Sequence, residues 1–228
     1  MADSPMLALL EQGSWGEYQP AFDRLADWAF YPLLLDTLEN LNHDVLFVSE
    51  MHGLGHIERT ILQGGFCAMA EELPLADTQL LLECCSYHDV GRLDDSLDPL
   101  HGHRSAQRLA ELTGRSGEDL KVMQVAVDVH SRHDSDLPEI MARYAPADEA
   151  RATLLTQLLK DADGLDRVRL GDLNPKYLRR PSSRDRVELA QEVFERYQRS
   201  IGRSPKPFFD EDIRAMMRRH YDGEGQRG

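Results

Sequence analysis

Apolar residues recur close to every 3.6 positions through most of the chain, the period of a helix with one buried face. From His56 to Leu73 the face is Ile57, Ile61, Leu62, Phe66, Met69, Ala70 and Leu73. The next segment, Thr78 to His88, is apolar almost all round (Leu80, Leu81, Leu82, Cys84, Cys85, Tyr87), which predicts a central, fully buried helix. Asp77 is its expected N-cap, and Gly91 is expected to help end it. A third helix is expected from Ser105 to Leu112. Leu120 to His130 carries Val122, Val125, Val127 and Val129, a content that suits a strand, but helical neighbours on both sides favour a buried helix. Asp148 is placed to cap a helix bearing Leu154, Leu155, Leu158 and Leu159 up to Asp163. Loops are expected at 94–99, at 114–117 and around Pro138 and Pro146.

Further on, Val187, Ala190, Phe194, Tyr197 and Ile201 space as 3, 4, 3, 4. That is a helix seam for packing on the rest of the chain or for pairing two copies. A last helix is expected around Ile213, Met216 and Met217, with a glycine-rich tail after Tyr221. The first fifty residues also read as helical, with Trp28, Phe30, Leu33, Leu34 and Leu38 as core candidates. The expected fold is therefore all-α. It divides into an N-terminal helical extension over 1–50, a central part over 51–180 that would carry the chemistry, and C-terminal helices over 181–228. Pro175, Pro181, Ser182 and Ser183 mark the second boundary.

The 228 residues carry a formal net charge of −14, which argues against a basic surface tracking a nucleic acid backbone or an anionic membrane. A small phosphorylated partner stays compatible, because a bound divalent cation reverses the sign locally. Three cysteines, Cys67, Cys84 and Cys85, form no CxxC pair and suggest a reducing compartment. No run approaches the ~18 uninterrupted apolar residues of a membrane span. The start lacks the basic flank of a signal peptide. The expectation is a cytoplasmic protein.

Chemistry concentrates at helix ends. His88 and Asp89 are adjacent at the C-terminal end of the most apolar helix. A carboxylate there is costly unless it is satisfied, and a cation held by the pair would satisfy it. Two neighbouring residues supply at most half of a coordination sphere, so other ligands must come from elsewhere in the chain. His56 and Asp163 each lie at a helix end, as converging ligands would. Mixed imidazole and carboxylate donors suit Mn, Fe, Co, Ni or Zn.

The order H…HD…D resembles the HD superfamily of metal-dependent phosphohydrolases over roughly His52 to Leu178. His56-x-x-Arg59-Thr60 is similar to that family's opening motif, His88-Asp89-Val-Gly-Arg92 to its centre and Lys160-Asp-Ala-Asp163-Gly-Leu-Asp166 to its closing motif. The resemblance implies an HD-domain helical bundle, with a metal bound by His56, His88, Asp89 and Asp163, and hydrolysis of phosphate esters. His101-Gly-His103-Arg-Ser-Ala and His130 extend it towards a second metal or a phosphate contact at His101 and His130, hence one or two ions. The GYP signature is missing after His130, which sets the cyclic-dinucleotide branch aside.

Arg92 stands where nucleotide-acting relatives often carry an acid. Water activated by the metal is then the expected nucleophile. Asp89 and Arg92 are the expected catalytic pair, with Arg92 steadying phosphate oxygens or pairing with Asp94 or Asp95. Arg167 and Arg169 are further phosphate candidates. Asp161 and Asp166 are expected to orient ligands from outside or to cap helices. His52, four residues before His56, is a weaker candidate for facing the site; His43, His103, His133 and His220 read as surface residues. Cys84 and Cys85 read as core. Two other readings fit the same residues: a di-iron oxygenase of the HD type, and a non-catalytic metal- or nucleotide-binding module.

Overall fold

A computed structural model describes residues 4–213. Every regular element among them is a helix. In the N-terminal part, α1 (Pro5–Gln12), α2 (Gln19–Ala26) and α3 (Tyr31–Glu39) precede an irregular stretch that leads to α4 (Leu54–Ala70). Then come α5 (Leu75–Tyr87), α6 (His101–Thr113), α7 (Gly117–His130), α8 (Leu137–Tyr144) and α9 (Glu149–Leu165). A tight helical turn at Asp166–Arg169 leads by way of α10 (Pro181–Arg184) to α11 (Val187–Ser200). None of these helices is long and apolar enough to cross a membrane.

The central layer is made of α4, α5, α7 and α9, each packed on at least two of the others. Leu80, Leu81, Leu82, Cys84 and Cys85 of α5 are all buried, and the helix turns a narrow strip with Gln79, Glu83 and Tyr87 half towards solvent. α7 is a helix despite its valines; Val122, Val125, Val127 and Val129 are all buried, so packing overrides their strand preference. α6 and α8 cover α7, and α3 covers α4 and α5. α11 lies on α1, α4 and the 166–169 turn, burying Leu189, Ala190, Val193, Phe194 and Tyr197 within the chain. Gly64 lets α4 and α5 approach closely, since a Cβ there would stand 2.7 Å from Cys85 Sγ.

Several boundaries differ from the sequence expectation. α4 ends at Ala70, although its apolar pattern runs on to Leu73. The chain turns left-handed at Glu72, and Leu73 folds back, its amide donating to the Ala68 carbonyl while its side chain stays buried. α5 begins at Leu75, after Pro74, and not at Thr78. Asp77 is therefore inside the first turn, where it receives a hydrogen bond from Arg151 at 2.6 Å and caps nothing. α6 begins at His101, four residues before its apolar pattern. The stretch around Pro138 is α8 and not a loop: proline suits a helix's first turn, and Ile140 and Met141 are buried. Asp148 does cap α9, accepting from the Arg151 amide at 2.9 Å.

In the N-terminal part, Leu34 and Leu38 are core, while Trp28, Phe30 and Leu33 are half-buried. Met6, Trp15, Phe22 and Leu25, which the apolar pattern does not single out, are buried instead. Met216, Met217, His220 and the tail after Tyr221 lie outside the described residues.

Candidate metal centre

Five helices deliver their ends to one place. His56 sits in the first turn of α4, and His88 and Asp89 directly follow α5. His101 is the first residue of α6, His130 the last of α7, and Asp163 stands in the last turn of α9. His56, His88, Asp89, His101 and His130 are all buried. Asp163 is the most open of the six donors, with 26% of its side chain exposed, so solvent reaches the group from its side.

The imidazole orientations follow from what their Nδ1 atoms meet. His88 Nδ1 lies 2.9 Å from the Cys85 carbonyl, His101 Nδ1 2.5 Å from the Asp98 carbonyl and His130 Nδ1 2.6 Å from the Val127 carbonyl. A carbonyl only accepts, so each Nδ1 must carry the proton. Cys85 and Val127 belong to last turns of helices, where carbonyls have no amide partner within the helix. The fourth ring, His56, places Nδ1 2.8 Å from Asp166 Oδ2, which likewise takes its proton. In the neutral form of each ring, Nε2 is then the nitrogen with a free lone pair.

These lone pairs point at one another. His56 Nε2 and His88 Nε2 are 3.1 Å apart, and His101 Nε2 and His130 Nε2 are 2.9 Å apart. Between two neutral rings no proton bridges either pair, and such a contact is repulsive unless a cation stands between the partners.

Asp89 lies between the two pairs. Its Oδ2 is 3.6 Å from His56 Nε2 and 3.8 Å from His88 Nε2. Its Oδ1 is 2.9 Å from His101 Nε2 and 3.6 Å from His130 Nε2. Asp163 Oδ1 adds to the first pair, 3.4 Å from His56 Nε2 and 4.0 Å from His88 Nε2. Neither buried oxygen of Asp89 has a hydrogen-bond donor aligned with it. The Arg92 charge, 3.0 Å from Oδ2, offsets part of the cost of burying this carboxylate, and the hydrogen bonds it lacks leave the rest. Two groups have donor atoms mutually close enough for one ion, namely His56 with His88 and Asp163, and His88 with Asp89 and His130. The donor set fits divalent transition ions at one position or at two bridged by Asp89.

Burial pushes the His56 imidazole well below its ordinary pKa, with the Arg169 charge adding to the effect. Burial likewise lowers His130, to about 4. For Asp89, burial alone would raise the carboxyl, but the groups packed around it, the Arg92 guanidinium among them, hold it well below the usual range. Asp163 is held down against the effect of burial as well, with the Arg169 charge contributing. Neutral imidazoles beside ionised carboxylates are the forms in which these side chains bind metals.

Asp166 lies behind His56, 2.8 Å from its Nδ1, and receives Arg59 Nε at 2.6 Å. Asp161 instead accepts the backbone amides of Arg179 and Arg180, leading into α10, each at 2.8 Å. Two residues along a helix are about 200° apart around its axis, so Asp161 and Asp163 cannot both face the centre. Arg92 pairs with neither Asp94 nor Asp95. Its Nε lies 3.0 Å from Asp89 Oδ2 at the edge of the cluster. Gly91 serves less to end α5 than to admit α6, because a Cβ there would stand 2.5 Å from the His101 carbonyl oxygen.

Arg169 is buried and donates to the Met51 carbonyl, with Asp166 3.4 Å away. Arg167 pairs with Asp172. His52 does reach the site's edge. Asp95, itself held by Ser49, lies 2.8 Å from His52 Nδ1, and the ring is 6.0 Å from that of His56. His103 is more than a surface residue, for its Nδ1 is 2.8 Å from the fully buried Asp128, which also binds Tyr144, Arg132 and Arg143. No motif marks His52 or Asp128; the only signal for either is the closeness of 52 to 56 and of 103 to 101 along the chain.

No protein-family model, no curated protein and no solved structure matches this chain.

Proposed function

We propose that the chain is a divalent-metal phosphohydrolase of the HD type, acting on a small phosphorylated molecule such as a nucleotide. One observation carries the reading: four buried imidazoles, each with its proton committed to an acceptor on Nδ1, turn bare Nε2 atoms onto the two oxygens of Asp89. The H…HD…D order and the solvent-facing Asp163 support it.

His56, His88, Asp163 and Asp89 would hold one ion, and His101, His130 and the other oxygen of Asp89 a second. Bound divalent cations of this kind polarise phosphoryl oxygens and acidify water. The protein's own part is positional. Backbone carbonyls and Asp166 would fix the rings before an ion arrives, which lowers the cost of assembling the sphere. Arg92, beside Asp89, offers a planar fork to phosphate oxygens at the edge of the cluster. Asp163, open to solvent, lies on the side from which the substrate enters. Arg59 and Arg169 both lie against Asp166 next to His56.

The test is a screen of phosphate mono- and diesters with Mn, Co, Ni, Zn and Fe, on wild type and on Asp89→Asn. Metal-dependent release of phosphate without oxygen, absent in the variant, supports the proposal. Turnover that needs iron and consumes oxygen favours the oxygenase reading. Tight metal binding with no turnover of any ester favours the non-catalytic module.

A further inference from the structure

The geometry points to Phe194 and Tyr197 of α11 as positioning residues for the His56 imidazole, acting through Arg59 and Asp166. His56 depends on Asp166 for its tautomer: Oδ2 lies 2.8 Å from Nδ1. Asp166 stands in a short turn after α9, and Arg59 fixes it by a two-point contact, Nε to Oδ1 at 2.6 Å and Nη2 to Oδ2 at 3.0 Å. Arg59 is itself buried, and its guanidinium carbon lies 5.3 Å from the Phe194 ring centre and 4.9 Å from that of Tyr197. Two aromatic faces at these distances attract the cation and replace part of the water it has lost.

Tyr197 is fixed in turn. Its hydroxyl donates to the buried Glu58 at 2.6 Å, and its ring lies against Gly55, where a Cβ would stand 2.9 Å from Cε1. Gly55, His56, Glu58 and Arg59 all belong to the first turns of α4, so one aromatic pair grips the helix start on which His56 stands. His88, His101 and His130 rely on backbone carbonyls near them in sequence. His56 alone among the four relies on a side chain 110 positions away, and the aromatic pair behind that side chain comes from the C-terminal helix. α11 lies beyond the 51–180 segment in which the sequence gathers the chemistry, yet it conditions one ligand there.

The metal-affinity part of the test rests on the proposed metal centre; the tautomer part does not. Nitrogen NMR of the histidine side chains in metal-free protein should find His56, like the other three, protonated at Nδ1. In Phe194→Leu and in Tyr197→Leu, His56 should lose that single tautomer while His88, His101 and His130 keep theirs. Mn binding at the position that includes His56 should weaken roughly 10- to 100-fold, the range for loss of support behind a ligand. Gly55→Ala, whose new methyl would crowd the Tyr197 ring at 2.9 Å and Arg59 Nη1 at 3.1 Å, should reproduce the effect. Tyr197→Phe, which keeps the ring, should show it least, and serves if the leucine variants fail to fold.

An unchanged His56 signal in folded leucine variants and in Gly55→Ala overturns the assignment. So does an equal loss at all four histidines, which would mark general loosening. A wild-type chain that binds no metal would remove the proposed function but leave the tautomer result to decide this inference on its own.

Discussion

Each of the four imidazoles keeps one nitrogen for the protein and turns the other to the centre, and this division makes the cluster more than a crowd of polar residues. It also gives Asp166 a distinct weight, because its carboxylate can only accept from His56, whereas an amide can rotate to donate. Asp166→Asn is expected to lower Mn affinity roughly 10- to 100-fold while leaving the helical circular dichroism intact, as read by titration calorimetry. Unchanged affinity would mean that the support of His56 lies elsewhere. Cys84 and Cys85 show the contrasting case of a reactive group made inert. Both are fully buried, and burial pushes their thiols up, away from the thiolate. Neither should react with iodoacetamide until the chain is unfolded; rapid labelling of the native protein would contradict that burial.

The residues of the cluster are legible in the sequence because a histidine and an aspartate closing an otherwise apolar helix need a partner that the helix itself does not supply. Their supporters are less so. Asp161 and Asp163 look equivalent in sequence, and only the angle between them around α9 tells them apart. The carbonyls behind His88, His101 and His130 carry no side-chain signal at all.

Among the elements, periodicity locates the buried helices and misses what packing does not touch. The first turn of α5 is unreadable for that reason, Leu75 being exposed; that of α6 is packed, but through a histidine and a glycine that carry no apolar pattern. Pro138 reads as a breaker in sequence, although in the structure it opens α8. Where a helix start is marked by a cap, the cap is testable. Asp148→Ala should cost about 1 kcal/mol in urea unfolding through the lost bond to the Arg151 amide; no change would mean that this amide is satisfied by water. Gly91→Ala has a different target. Its new methyl would meet the backbone of α6 at His101 and Ser105, so it should weaken metal binding through His101 and Asp89 more than it lowers thermal stability. The reverse order of effects would show that Gly91 matters only for packing.

Over the whole molecule, charge is distributed so that long-range ties are made by acids. Asp134 joins Lys160 of α9 at 2.6 Å and Arg179 of the following segment at 2.8 Å, while Lys160 also donates to the Val129 and Arg132 carbonyls at the end of α7. Burial would raise the Asp134 carboxyl, but Arg179 and Lys160 outweigh it and bring it to about 2. Its folded pKa is thus below its unfolded one. Its contribution is present in full above the ordinary aspartate range near 3.8 and is lost as pH falls towards 2. Because the side chain is half open to solvent, the contribution is small. Unfolding curves of wild type and Asp134→Asn should differ at pH 6 and converge near pH 2; a gap that persists at pH 2 would contradict the assignment.

The proposed function stands on five helix ends gathering around cations. Elemental analysis after Mn loading and exhaustive gel filtration tests it most directly, comparing wild type with Asp89→Ala. The expected result is two equivalents retained by the wild-type chain and none by the variant, with the helical signal preserved in both. A wild-type chain that emerges without metal, or an Asp89→Ala chain that keeps its full complement, would contradict it.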